Sequence, residues 1–211
     1  MKKFFRTITI LFVLFLFSCD NSSGSSSHNS HNDNNTSQED NDDTQDISGI
    51  TDDYKAETAF TIIKYICEDF EYSLGASESI SANVEGITGS AYITGTKSVD
   101  NYDTSYSYTT TTSTTIEIEF RNYSDSYNTT LNGKVSYHYY YYYRYAYSGA
   151  SSTHENGSIS GTSLSISYAG NYDKFTDVIN IDISDNDSYS SYWDGTITNA
   201  AGTVFKIYGK Y

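Results

Sequence analysis

Glu117 and Glu119 stand two residues apart in a stretch where Ile116, Ile118 and Phe120 alternate with polar side chains. On a strand both carboxylates project from one face, and two carboxylates about 5–10 Å apart can hydrolyse a glycoside. Arg121 has the same parity, so a solvated charge row accounts for the three more simply. His154 and Glu155 come just before Asn156-Gly157, where a turn would carry polar residues. Asp182, Asp185, Asn186 and Asp187 offer oxygen ligands to calcium, but the glycine and closing glutamate of an EF-hand are missing. A polar hairpin turn explains them better. Cys67 falls in an apolar stripe, where burial raises a thiol pKa and leaves a small packed hydrophobe instead of a nucleophile. GxSxG, HExxH, P-loop and dinucleotide patterns are absent. No catalytic residue, metal site or cofactor is therefore expected, and a hydrolase using Glu117 and Glu119 ranks last among the readings below.

The unusual feature is tyrosine. Of 23 tyrosines, Tyr137, Tyr139, Tyr141, Tyr143, Tyr145 and Tyr147 point to one face of a continuous strand, while His138, Tyr140, Tyr142 and Arg144 point to the other. One reading is structural: the first row packs under a helix and the second joins cross-strand aromatic pairs. The functional reading takes His138, Tyr140, Tyr142 and Arg144 as a binding surface. Aromatic faces beside Arg and His stack on sugar or ligand rings, and tyrosine is a versatile protein-contact residue.

The elements that would position these residues are legible. Ala56, Ala59, Phe60, Ile63, Ile66, Cys67, Phe70 and Leu74 have the spacing of an amphipathic helix. Thr51 is expected to cap it and Gly75 to stop it. From about residue 79 the period becomes two. Tyr102, Tyr106 and Tyr108 have the parity of Ile116; Leu164, Ile166 and Tyr168 alternate with serines; Phe175, Ile179, Ile181 and Ile183 alternate with Thr, Val, Asn and Asp. Asn132-Gly133, Asn156-Gly157 and Asp194-Gly195 are expected to be hairpin turns. Leu, Ile, Val and Phe number 28 in the 161 residues from 51 to 211, below the ~20% that warns of disorder. Tyrosine rings make up the deficit as core. The expected fold is α+β, mainly β: one N-terminal amphipathic helix packed on a curved antiparallel meander of six to nine strands, with a partly closed barrel as the variant. A nearly closed meander would suit a carrier of an apolar ligand, in a cavity bounded by Phe60, Ile63, Ile116 and Ile181.

The N-terminus reads as an address. Lys2, Lys3 and Arg6 precede an apolar run from Ile8 to Phe17, too short for the ~20 residues that span a bilayer. Leu16-Phe17-Ser18-Cys19 resembles the lipobox of bacterial lipoproteins, apart from Phe17 where a small residue is usual. The resemblance implies cleavage before Cys19, acylation of its thiol, and a cell-envelope location, outer membrane, on the periplasmic or surface side. Residues 1–18 are then a signal peptide, 19–50 the lipidated cysteine and an acidic Ser/Asn tether, and 51–211 the domain. Residues 20–46 hold seven acids and no base, with no apolar side chain to offset ordering entropy, so a disordered spacer of ~30 Å span is expected. His28 and His31 fall within it as solvated residues. The chain carries a formal charge of −15, which argues against nucleic acid or an anionic surface as partner. The expected partners are the membrane, through acyl chains on Cys19, and a glycan, protein or apolar ligand. The leading functional reading is a non-catalytic binding or surface-interaction module.

Overall fold

The structure is a computed structural model that describes residues 48–125, 128–170, 173–185 and 192–210. The expected signal peptide, Cys19, the tether with His28 and His31, and Asn186 and Asp187 lie outside the described residues.

Helix α1 (Asp53–Ser73) forms where the 3.6-residue spacing places it, burying Ala56, Ala59, Phe60, Ile63, Ile66, Cys67 and Phe70. Its cap is Asp52 and not Thr51. Asp52 directly precedes the first helical residue, has an extended backbone, and accepts from the Lys55 N–H at 2.9 Å. A carboxylate there satisfies an orphan donor and faces the positive dipole end. Gly75 does not stop the helix either. Leu74 does so one residue earlier, with an extended backbone whose N–H donates to the carbonyls of Phe70 and Glu71.

Eight strands follow: β1 (Ser77–Glu85), β2 (Thr88–Asp103), β3 (Ser107–Ser124), β4 (Thr129–Ala146), β5 (Ser151–Ala169), β6 (Lys174–Asp185), β7 (Tyr192–Thr198) and β8 (Val204–Lys210). Each pairs antiparallel with its chain neighbour in the order β1 to β8. The sheet is an open meander with β1 and β8 as edges, so the barrel variant does not apply. The three expected hairpin dipeptides lie inside strands instead of at turns: Asn132-Gly133 in β4, Asn156-Gly157 in β5 and Asp194-Gly195 in β7. The Asn-Gly pattern marks a place without a side chain, and in Gly157 the reason is contact. A Cβ there would lie 3.0 Å from the Trp193 ring and 3.0 Å from the His138 carbonyl. Tyr102 and Tyr106 also depart from expectation, being exposed, because the β2–β3 reversal separates them from the strand carrying Ile116.

The core lies between α1 and one face of the sheet. Near its N-terminus α1 meets β7, where the Phe60 and Trp193 rings are 5.6 Å apart. Near its C-terminus it meets β3, with Phe70 5.4 Å from Tyr123 and 6.4 Å from Phe120. Such pairs contribute about 0.5–1.5 kcal/mol beyond the area they bury. Two polar clamps hold the ends. Asp177 of β6 accepts from the Ile50 N–H at 2.7 Å, from Val178 at 2.8 Å and from Ala200 at 3.1 Å. Lys97 of β2 reaches the Glu71 carboxylate at 2.8 Å and the Glu71 carbonyl at 2.6 Å.

Strands β2 to β5 have 16 to 19 residues and run ~50–60 Å, well past a helix only ~10 Å across. Where α1 covers them, burial alternates: Ile116, Ile118 and Phe120 are buried while Glu117 and Arg121 are exposed. Beyond Tyr137 and Thr114 the alternation ends. Residues 138–143 of β4 and 108–113 of β3 are all half-buried, on both faces alike. Among the described residues this far half is a four-stranded extension whose side chains are covered by their neighbours in the sheet and not by α1.

Candidate functional site

Strand β4 carries the tyrosine rows onto that extension. His138, Tyr140, Tyr142 and Arg144 share its outer face, as expected. They are flanked on β3 by Thr115, Ser113, Thr111 and Thr109, and on β5 by Ser158, Asn156, His154 and Ser152. Only short side chains stand beside the tyrosines on the β3 side, and Tyr140 and Tyr142 are half-buried. His154 lies in β5 opposite Tyr142, its ring 5.7 Å away, and not at a turn. His138 and Tyr140 are half-buried and Arg144 is exposed. Among the described residues Arg144 forms no ion pair. The patch thus combines two phenol rings, two imidazoles and an uncompensated guanidinium on a floor of hydroxyls.

The opposite row does not pack under the helix as a unit. Tyr137 alone is fully buried; Tyr139 stacks on it with ring centres 6.5 Å apart, Tyr141 and Tyr143 are half-buried, and Tyr145 and Tyr147 are exposed. Burial pushes the hydroxyls of Tyr137 and Tyr139 far above the ordinary tyrosine range; Glu68 adds to the shift at Tyr137 and Glu155 at Tyr139. At the tip, Tyr147 donates to Asp103 at 2.6 Å, a bond that raises its pKa.

A groove of about 480 Å³ opens on the same outer face, two to four residues along β4 from His138. Its midline is a register row across five strands: Glu117, Ser136, Ser160, Asp182 and Thr196. Lys134 stands on its rim. Sequence reasoning missed this groove. The available signal was the alternation of Ser158, Ser160 and Thr162 with buried Ile159, which marks a wet face made only of short side chains.

The remaining candidates are separated by the fold. Glu117 and Glu119 do share the outer face, but Arg121 donates to Glu119 at 3.0 Å and Lys134 approaches it at 3.4 Å. The Arg121 hydrogen bond, helped by Lys134, holds the Glu119 carboxyl below the usual range. Asp182 is exposed while Asp185 is buried on the opposite face of β6, so these two do not converge on one cation. The Cys67 thiol is buried, and burial, with Glu68 nearby, raises its pKa far above the ordinary thiol value. Phe60, Ile63, Ile116 and Ile181 belong to the packed core, and no groove described above brings the four together. Among the described residues no helix is long and apolar enough to cross a membrane. Comparison with protein-family models, curated proteins and solved structures finds no match.

Proposed function

We propose that this chain is a lipid-anchored envelope protein whose β domain is a non-catalytic binding module. The anchor is Cys19 and the contact surface is the outer face bearing His138, Tyr140, Tyr142 and Arg144. One observation carries the reading: among the described residues β2 to β5 continue far past the helix, so that half-buried tyrosine rings are set out on a stiff sheet beyond the helix-covered core. A strand extension that served only the core would stop where the helix stops. Tyrosines on such a support lose little entropy on contact and present an apolar ring with a polar tip, as binding surfaces require.

Two measurements test it. Replacing Cys19→Ser should move the chain from the membrane fraction to the soluble fraction and abolish labelling by a palmitate analogue. On glycan and protein arrays, the triple variant Tyr140→Ala/Tyr142→Ala/Arg144→Ala should lose at least ~100-fold in affinity, or about 2.7 kcal/mol, which is within reach of a few aromatic and arginine anchors. Its unfolding midpoint should stay near that of the parent, since these side chains lie outside the core. A triple variant that binds like the parent overturns the patch.

A further inference from the structure

We propose that the outer-face groove beside the tyrosine patch binds a neutral saccharide, whose chain continues along β4 over His138 to Tyr140. This rests on the patch being a binding surface, and it names the ligand and a second set of contacts.

The groove is built into the backbone. The β4–β5 pairing shifts register between Asn132 and Ser136, and the β5–β6 pairing between Gly161 and Leu164. The two irregularities fall side by side. At Gly161 an added Cβ would lie 2.7 Å from the Lys134 carbonyl, so a side chain there would force β4 and β5 apart. The register row then lays the short side chains of Ser136, Ser160, Asp182 and Thr196 across the depression, with Glu117 at its β3 end.

The polar groups of its midline row are unengaged, while Asn180 on its wall accepts from the Ser163 N–H at 2.9 Å. The hydroxyls of Ser136, Ser160 and Thr196 and the carboxylates of Glu117 and Asp182 form no hydrogen bond or ion pair with the described residues. Neighbours on the same face behave differently: Glu119 is held by Arg121 and Lys134, and the Ser167 and Thr176 hydroxyls pair at 2.9 Å. The free set consists of hydroxyls, which donate and accept, and two carboxylates, which accept strongly. The groove's one cation, Lys134, is already turned to Glu119.

Charge and chemistry together select the ligand. Two open carboxylates in a chain of formal charge −15 repel phosphates, uronates and nucleic acids. A sugar offers adjacent hydroxyls to the carboxylates, further hydroxyls to the serines, and an apolar ring face to aromatic side chains. Tyr140 lies four residues along β4 from Ser136, ~13 Å away, so a short oligosaccharide reaches from hydrogen-bonding groove to stacking ring.

The test uses the full chain in detergent micelles, titrated calorimetrically with neutral trisaccharides of glucose, mannose, galactose and N-acetylglucosamine. A galacturonate oligomer and a glucosamine oligomer serve as anionic and cationic controls. At least one neutral trisaccharide should bind, Asp182→Asn/Glu117→Gln should weaken it at least tenfold, and Ser160→Val should do the same by removing a hydroxyl while leaving charge unchanged. Unfolding midpoints of the variants should match the parent. Binding of neither neutral sugar nor control, or of the charged controls alone, overturns the inference. Binding that falls with Tyr140→Ala/Tyr142→Ala but not with the groove variants overturns the groove and leaves the patch standing. Loss in the groove variants with a silent tyrosine variant supports the groove and overturns the extension of the saccharide to Tyr140.

Discussion

Asp177 is 9% exposed and its carboxylate takes three backbone N–H donors, from Ile50, Val178 and Ala200. It joins the segment before α1 to β6 and to the β7–β8 hairpin. Asp177→Asn keeps the shape but replaces one oxygen by an NH₂. If Oδ1 keeps its two donors, the NH₂ faces the Ile50 N–H, and Ile50 is fully buried. One charge-assisted bond is lost and one buried donor is left unsatisfied, costing about 2–3 kcal/mol. Asp177→Ala removes all three bonds and should cost about 4 kcal/mol, less than three times the single value because the freed hairpin lets water reach the other two donors. At roughly 2–4 °C per kcal/mol for a domain this size, the asparagine variant should melt about 5–10 °C lower. Trp193 is the one tryptophan beside 23 tyrosines and sits in the core, so its emission, excited at the red edge, follows urea unfolding directly. Hydrogen exchange at the Ile50 amide gives the local readout and should speed up in both variants. An asparagine variant within about 0.5 kcal/mol of the parent, with Ile50 still protected, would refute the clamp.

Three further outcomes follow from the same geometry. Gly157→Ala places a methyl 3.0 Å from Trp193; it should shift the tryptophan emission and cost about 1–3 kcal/mol by overpacking, whereas an unchanged spectrum and midpoint would show that the ring does not rest on Gly157. Lys97→Met leaves the Glu71 carboxylate, 13% exposed, with only the Thr114 hydroxyl at 3.2 Å; urea midpoints should report about 2–3 kcal/mol of destabilisation, with Lys97→Met/Glu71→Gln recovering part of it. Burial, with Asp125 and Asp69 adding, pushes the Tyr123 hydroxyl up to about 12, and Tyr137 and Tyr139 are held higher still. The unfolded chain releases these protons from about pH 10 and the folded chain does not, so the stability they supply is complete below pH 10 and declines as pH rises toward 12. Absorbance titration should show tyrosines that ionise only there, and a single transition near pH 10 would contradict it.

The helix and the period-two strands could be read from sequence because both rest on apolar spacing, and seven of the eight expected helix positions are buried. The exception, Leu74, is the residue that ends the helix. Turns were misread because Asn-Gly fits two physical needs, a positive φ and the absence of a side chain. In Asn156-Gly157 the second need applies, set by a tryptophan 36 residues later that no local pattern announces. Thr51 and Asp52 are both good caps, and only the placement of the first helical turn distinguishes them. The face shared by His138, Tyr140, Tyr142 and Arg144 followed from parity alone. Whether the helix covered the other row depended on how far the strands run past it, a length that pairing sets and composition does not. The groove needed the register of five strands at once, so it could not be read from any one segment.

Because every strand pairs only with its chain neighbour, each hairpin closes over a short loop, and the sheet can grow by addition from one end without waiting for distant partners. The helix is the exception. It is made before them, yet Ile50, three residues ahead of it, is held by Asp177 and Asn199, 127 and 149 residues away. The order of assembly is therefore built into the topology. The sheet can zip up in sequence, and the β7–β8 hairpin locks the segment before the helix against it, so that this one closure reports on the whole domain.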